Sequence, residues 1–239
     1  MKKTDNIKQL FFSSIVIIFF TCFPVISQAL DNPKPKDSIR NKEVLINATL
    51  LSATTISYTG LHQLWYKNYS RSKFEFFNDL HEWNYIDKAG HIFSAYHLNN
   101  FCYTLLNNQK IKNPLLKSSI YSFTYMTGIE FFDGYSKQWG FSIYDLIANS
   151  IGTFLFAFQE KKLKTPIFNL KFSSHMSPMA SCRPSLLGKN KVERVFKDYN
   201  GQTYWLTVNL NKTFKDKIKA FEFIDIAIGY SIDGFTGAR

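Results

Sequence analysis

The sequence predicts a mainly α protein: a helical bundle of about four long helices behind a signal peptide, followed by a small irregular or mixed C-terminal extension. Three observations carry that reading. Apolar segments of helical length recur between residues 43 and 164, and Pro falls at their ends rather than inside them. Each of the last three segments carries ionisable or amide residues at helical spacing. Beyond Pro166 the composition turns rich in Ser, Pro and turn formers.

The chain opens with Lys2, Lys3 and Lys8, and Leu10 to Phe23 is apolar apart from Ser13, Ser14 and Thr21. Ser27-Gln28-Ala29 is a small-x-small site, so residues 1–29 read as a secretory signal peptide, with an uncleaved anchor as the alternative. Cys22 lies inside the apolar run without a clean lipoprotein box. Residues 30–42, Pro- and charge-rich, read as a linker.

The bundle is expected over residues 43–164. Its first helix runs from Glu43 to about Tyr66 and suits a membrane span and a buried helix equally. The second starts at Asp87 and ends in the polar string NNQKIKNP. Pro114 opens the third, which runs to Phe132, where Gly134 is placed to follow its end. Ser142 caps the fourth, which runs to about Gln159 before Lys161, Lys162 and Lys164, and Pro166 stops it. Residues 165–239 form the extension. There Ser173–Ser185 reads as irregular, Asn200-Gly201 as a turn between two elements, and Phe221–Tyr230 as a short helix or a strand.

The formal net charge is +11, and removing residues 1–29, with three Lys against one Asp, leaves +9 (11 minus 2). Such an excess favours a membrane surface or anionic lipid as partner, with an envelope protein partner as the second choice. Nucleic acid is not expected: there is no Lys/Arg block interleaved with stacking aromatics, no zinc finger and no glycine-rich phosphate loop. Aromatics are 17% of the chain, which suits the wet-and-apolar boundary of a cell envelope as well as a dense core. After the signal peptide only Cys102 and Cys182 remain, too few for a disulfide framework, and Cys102 is expected to be unpaired and buried.

The candidate site lies between Glu82 and Gly152. Asp87 and His91 are four apart with Lys88 between them, Glu130 and Asp133 are three apart, and Asp145 and Asn149 are four apart, so each pair shares a helix face. Gly152, one turn beyond Asn149, would let a neighbouring backbone approach closely. Buried polar groups must satisfy one another, a metal or a ligand. Two chemistries fit. His91, Glu130, Asp133 and Asp145 supply mixed nitrogen and oxygen ligation for a divalent metal, with Asn149 behind them. A metal-free acid/base site would use His91 oriented by Asp87, with Glu130 or Asp145 as partner and Lys88 neutralising carboxylates or binding a phosphate. The bland alternative treats Asp87 and Asp145 as helix caps and His91 as a satisfied core histidine.

The runs FEFFNDLHEWNYIDKAGHIFSAY, GIEFFDGYSKQWGFSIYDLIANSIG, KDYNGQTYWLTVNL and GYSIDG resemble the YfiM-like family of uncharacterised bacterial periplasmic proteins and lipoproteins, over about residues 43–235. The D-K-x-x-H, E-x-x-D and D-x-x-x-N-x-x-G elements are also similar to those of VanZ-like membrane proteins. That pattern falls on Asp87, Lys88, His91, Glu130, Asp145, Asn149 and Gly152, and departs at Asp133, where those proteins more often carry Gln. The resemblance implies an envelope location and a distant common bundle. The resulting expectation is an uncharacterised envelope protein with a hydrolase-like activity, metal-assisted or acid/base, on a lipid or other envelope substrate. Its competitor is a non-catalytic envelope protein whose polar cluster fixes helix packing.

Overall fold

The computed structural model describes residues 35–67, 69–163, 166–213 and 224–238. These are mainly helical, with small sheets. The expected signal peptide lies outside the described residues.

The described residues form two compact units, the first comprising 35–67 together with 106–112. Its main element is α1, Pro35–Leu61, which continues through one π-helical turn, His62–Tyr66. The helix begins at Pro35, inside the expected linker, because Pro suits a first helical turn and the next 24 residues contain neither Pro nor Gly. Ile46 and Leu50, four apart on one face, are buried, as are Leu106 and Ile111 in the same unit. Thr49, Thr54, Thr55 and Thr59 each donate to the carbonyl four residues back at 2.7–2.9 Å, which satisfies hydroxyls in an otherwise apolar helix. Residues Asn41–Tyr66 are long and apolar enough to cross a membrane by length and composition.

The second unit holds the described residues of 69–105 and of 113–238. It contains α2 (Ile86–Asn108, up to its last turns), α3 (Pro114–Asp133) and α4 (Ile143–Phe158), which runs on through a π-helical turn, Gln159–Leu163. So three of the four expected helices pack in one unit. Pro114 occupies the first turn of α3, and the Ser142 side chain accepts from the Asp145 amide at 3.0 Å, the cap expected from sequence. The three helices meet through small and polar residues. Ser122 Oγ donates to the Ala95 carbonyl at 2.8 Å, and Asn99 Nδ2 donates to the Thr153 carbonyl at 3.0 Å. A Cβ on Gly152 would lie 2.2 Å from the Ile92 carbonyl oxygen, so α2 and α4 touch backbone to backbone. Strands β1 (Phe76–Phe77) and β2 (Phe141–Ser142) pair in parallel and tie the segment before α2 to the α3–α4 turn.

The extension is more ordered than expected. Strands β3 (Phe168–Ser174), β4 (Gln202–Asn209) and β5 (Asp225–Ser231) form an antiparallel sheet in that order. Short helices α5 (Met179–Cys182) and α6 (Pro184–Leu187) take up part of the expected irregular stretch, and α7 (Lys191–Lys197) follows. Asn200-Gly201 sit in a 3₁₀ turn between α7 and β4, and the ambiguous Phe221–Tyr230 segment is a strand from Asp225. A core of Trp83, Ile86, Ala180, Leu187 and Ile232 joins this extension to the start of α2. Trp83, Asn84 and Tyr85 adopt left-handed backbone there, with φ between 46° and 66°. Cys102 is free and buried, and Cys182 is free and exposed.

Candidate functional site

Antiparallel packing of α3 and α4 brings the end of one beside the start of the other, and both lie against the first turns of α2. Asp87, Lys88, His91, Glu130, Asp145 and Asn149 therefore converge at one end of the three helices. Lys88 Nζ is 2.7 Å from Asp79 Oδ2, 3.0 Å from Asp87 Oδ2 and 2.7 Å from Asp145 Oδ1. The two His91 nitrogens face different groups. Nδ1 is 3.1 Å from Asn149 Oδ1 and 3.4 Å from Glu130 Oε1. Nε2 is 4.0 Å from Asp87 Oδ1 and 3.8 Å from Asp145 Oδ1. Glu130, Asp145, Asn149 and Lys88 are all buried.

Asp133 is half-buried at the end of α3, and its charge is felt by Glu130, but it does not join the groups around the imidazole. Three participants are absent from the sequence-derived set. Asp79, in the loop before α2, accepts from Lys88 and from Ser142 Oγ at 2.5 Å. Tyr199 donates to Asp87 Oδ1 at 2.7 Å from the extension. Tyr204, on β4, covers the same turn: a Cβ on Gly90 would lie 2.9 Å from its hydroxyl. No helical periodicity marks these residues, because a loop, a 3₁₀ turn and a strand deliver them.

The electrostatics follow from four carboxylates (Asp79, Asp87, Glu130, Asp145) around two basic side chains. Burial pushes Glu130 up to about 9, with Asp145, Asp133 and Asp87 adding and His91 opposing. Burial likewise pushes Asp145 up to about 7, against the pull of His91 and Lys88. For His91 burial acts downward, yet the charges of Asp145, Asp87 and Glu130 outweigh it and carry the imidazole up to about 9. Asp87 is the exception. Burial raises it, but His91 and Lys88, with hydrogen bonds from Tyr199 and Lys88, hold it below the usual carboxylate range.

The ligand atoms of Asp87, His91 and Asp145 all lie within 4.8 Å of one another. Nδ1 lies 3.1 Å from Asn149 Oδ1; a neutral imidazole donating Nδ1–H there would turn its Nε2 lone pair to the two carboxylates, the arrangement typical of a metal-binding histidine and its outer partner. Two carboxylates and one imidazole suit a hard or borderline divalent cation. Glu130 meets the opposite ring nitrogen and Asp133 stands apart, so the three clustered ligand atoms include Asp87 in place of that expected pair.

Residues 75–161 match the model of a family described as "Predicted periplasmic lipoprotein (DUF2279)". No curated protein and no solved structure matches the chain. The matched stretch runs from just before β1 to the turn after α4, so it includes Asp79, Asp87, Lys88, His91, Glu130, Asp145 and Asn149 and leaves out Tyr199 and Tyr204. Over that stretch the chain is similar to an uncharacterised periplasmic family, and its place is the cell envelope.

Proposed function

We propose that Asp87, His91 and Asp145 hold a divalent cation in an envelope protein with hydrolase-like activity on a lipid or other envelope substrate. The supporting observation is the grouping of their three ligand atoms within 4.8 Å, with the second nitrogen of His91 held by Asn149. A bound divalent ion supplies a Lewis acid and an acidified water. The chain's own groups do the rest. Glu130 and Asn149 set the imidazole tautomer, Lys88 offsets Asp79, Asp87 and Asp145, and Tyr199 orients Asp87. Asp145 is taken up as a ligand, so the proton is left to Glu130, which is buried, proton-affine and outside the ligand set.

In this reading residues 1–29 direct export, and residues 43–164 with the extension at 165–239 form the working protein. The similarity to YfiM-like and VanZ-like proteins supports it, since the D-K-x-x-H, E-x-x-D and D-x-x-x-N elements supply most of the cluster. A second reading has one observation in its favour: Lys88 already contacts three carboxylates, as a network that only fixes helix packing would require.

The deciding experiment offers the exported chain zinc, manganese or magnesium and assays carboxyester and phosphoester lipid probes beside His91→Ala. Metal-dependent turnover that disappears in a folded His91→Ala supports hydrolysis. Absence of turnover with every metal, together with a His91→Ala that is merely less stable, supports the packing network.

A further inference from the structure

Helices α3 and α4 are polar inside and apolar outside. On α4 the buried side includes Asp145, Asn149, Gly152 and Thr153, whereas Ile143, Ile147, Ile151, Phe154 and Phe158 are between 41% and 67% exposed. At 3.6 residues per turn those five fall within an arc of about 80°. On α3 the buried residues are Ser118, Ser122, Met126 and Glu130, whereas Leu116, Ile120, Phe123 and Phe131 are exposed. A helix packed in water shows the opposite order, with its apolar stripe facing the core. An apolar face this continuous marks an interaction surface.

The ends of the α3–α4 hairpin identify the partner. At the turn end, the Lys137 amide donates to the Ser70 carbonyl and the Ser72 amide donates to the Tyr135 carbonyl. These bonds and the Arg71–Ser136 bridge bring exposed Arg71 and Lys137, with exposed Lys73 two residues on, to the turn end of the hairpin. At the other end, exposed Lys161 and Lys162 follow α4. Basic residues at both ends of an apolar stripe match a hydrocarbon layer bordered by anionic headgroups. A second copy of the chain would bring like charges together at both ends. From Ile143 to Phe158 the stripe is about 22 Å long, short of the ~30 Å hydrocarbon core of a bilayer. It is long enough to lie along the surface rather than to cross.

We infer that the α3–α4 face rests on an anionic lipid bilayer, with its Ile, Leu and Phe side chains sunk into one leaflet and its flanking Arg and Lys among the headgroups. Asp145 and Asn149, on the opposite side of α4, then lie one helix thickness from the acyl chains.

The test places an environment-sensitive fluorophore at Ile151→Cys in the exported chain carrying Cys182→Ser, with Phe154→Cys as the second stripe position and Lys189→Cys as the control. Native Cys102 is buried and stays unlabelled. The probe is a vesicle of phosphatidylcholine with or without phosphatidylglycerol, some carrying a nitroxide on the acyl chain. The expected result is a blue shift and nitroxide quenching at both stripe positions, stronger with phosphatidylglycerol and weakened by salt, with neither at position 189. Stripe labels that ignore vesicles, even when the chain is vesicle-bound through another segment, overturn the inference. So does a blue shift without vesicles that accompanies a doubled mass, since a second copy then covers the face.

Discussion

Tyr199 donates a 2.7 Å hydrogen bond to Asp87 Oδ1 across 112 positions of sequence, so the extension takes part in the site rather than trailing behind it. The bond also helps hold Asp87 ionised. Tyr199→Phe removes it without changing the ring, and a hydrogen bond to a charged group is worth about 1.5–3 kcal/mol. The expected outcome is a loss of that size in denaturant-measured stability. An unchanged midpoint would show that Asp87 does not depend on the extension.

Lys88 is the sole ammonium among the described residues shown in contact with Asp79, Asp87 and Asp145. Lys88→Met leaves buried Asp145 and half-buried Asp79 and Asp87 facing one another, and breaking a buried ion pair from one side costs about 3–5 kcal/mol. The deficit should shrink as pH falls and the carboxylates take up protons. Thermal melts at pH 5 and pH 8 check both size and trend.

The titrations set a direction for the metal-free protein. His91 rises from 6.5 to about 9, so its contribution is fully present below 6.5 and is lost as pH climbs through 9. Glu130 and Asp145 rise from 4.5 and 3.8 to about 9 and about 7, so each also favours the folded state less as pH increases through that range. Asp87, held low, acts oppositely and only below its ordinary value. Stability in chelator should therefore decline from about pH 5 to pH 9, with a shallower slope in Glu130→Gln. A rise over that range contradicts the arrangement.

Two glycines separate close packing from helix propensity. Gly152→Ala would place a methyl 2.2 Å from the Ile92 carbonyl oxygen and 3.0 Å from Ala95 Cβ, forcing α2 and α4 apart at a cost of about 1–3 kcal/mol or more. At Gly60, in α1, nothing lies within 4 Å of the added Cβ. There the change to Ala should be neutral or stabilising by up to about 1 kcal/mol. Melting temperatures of the two variants test the contrast.

Much of this architecture is legible in the sequence because its signals are local. Ser142 is recognisable as a cap, Pro114 as a helix start and Gly152 as a point of close approach, and the spacings of Asp87 with His91 and Asp145 with Asn149 place each pair on one face. What joins those faces is not local. Nothing in the spacing tells which nitrogen of His91 meets Glu130, or that Asp133 stands aside while Asp87 faces Asp145. Asp79 and Tyr199 arrive on a loop and a 3₁₀ turn, where no periodicity points inward. The inverted burial of α3 and α4 is equally hidden, because an apolar stripe in sequence does not say which side faces out. The early start of α1 shows the reverse error, in which charge and a proline read as a linker although Pro is at home in a first turn.

The most direct measurement is the metal content of the purified exported chain after growth with zinc, manganese and iron, for the wild type beside His91→Ala, Asp87→Asn and Glu130→Gln. The account predicts stoichiometric metal in the wild type and in Glu130→Gln, with loss in the other two. A wild type without metal, or a His91→Ala that retains it, would contradict the account.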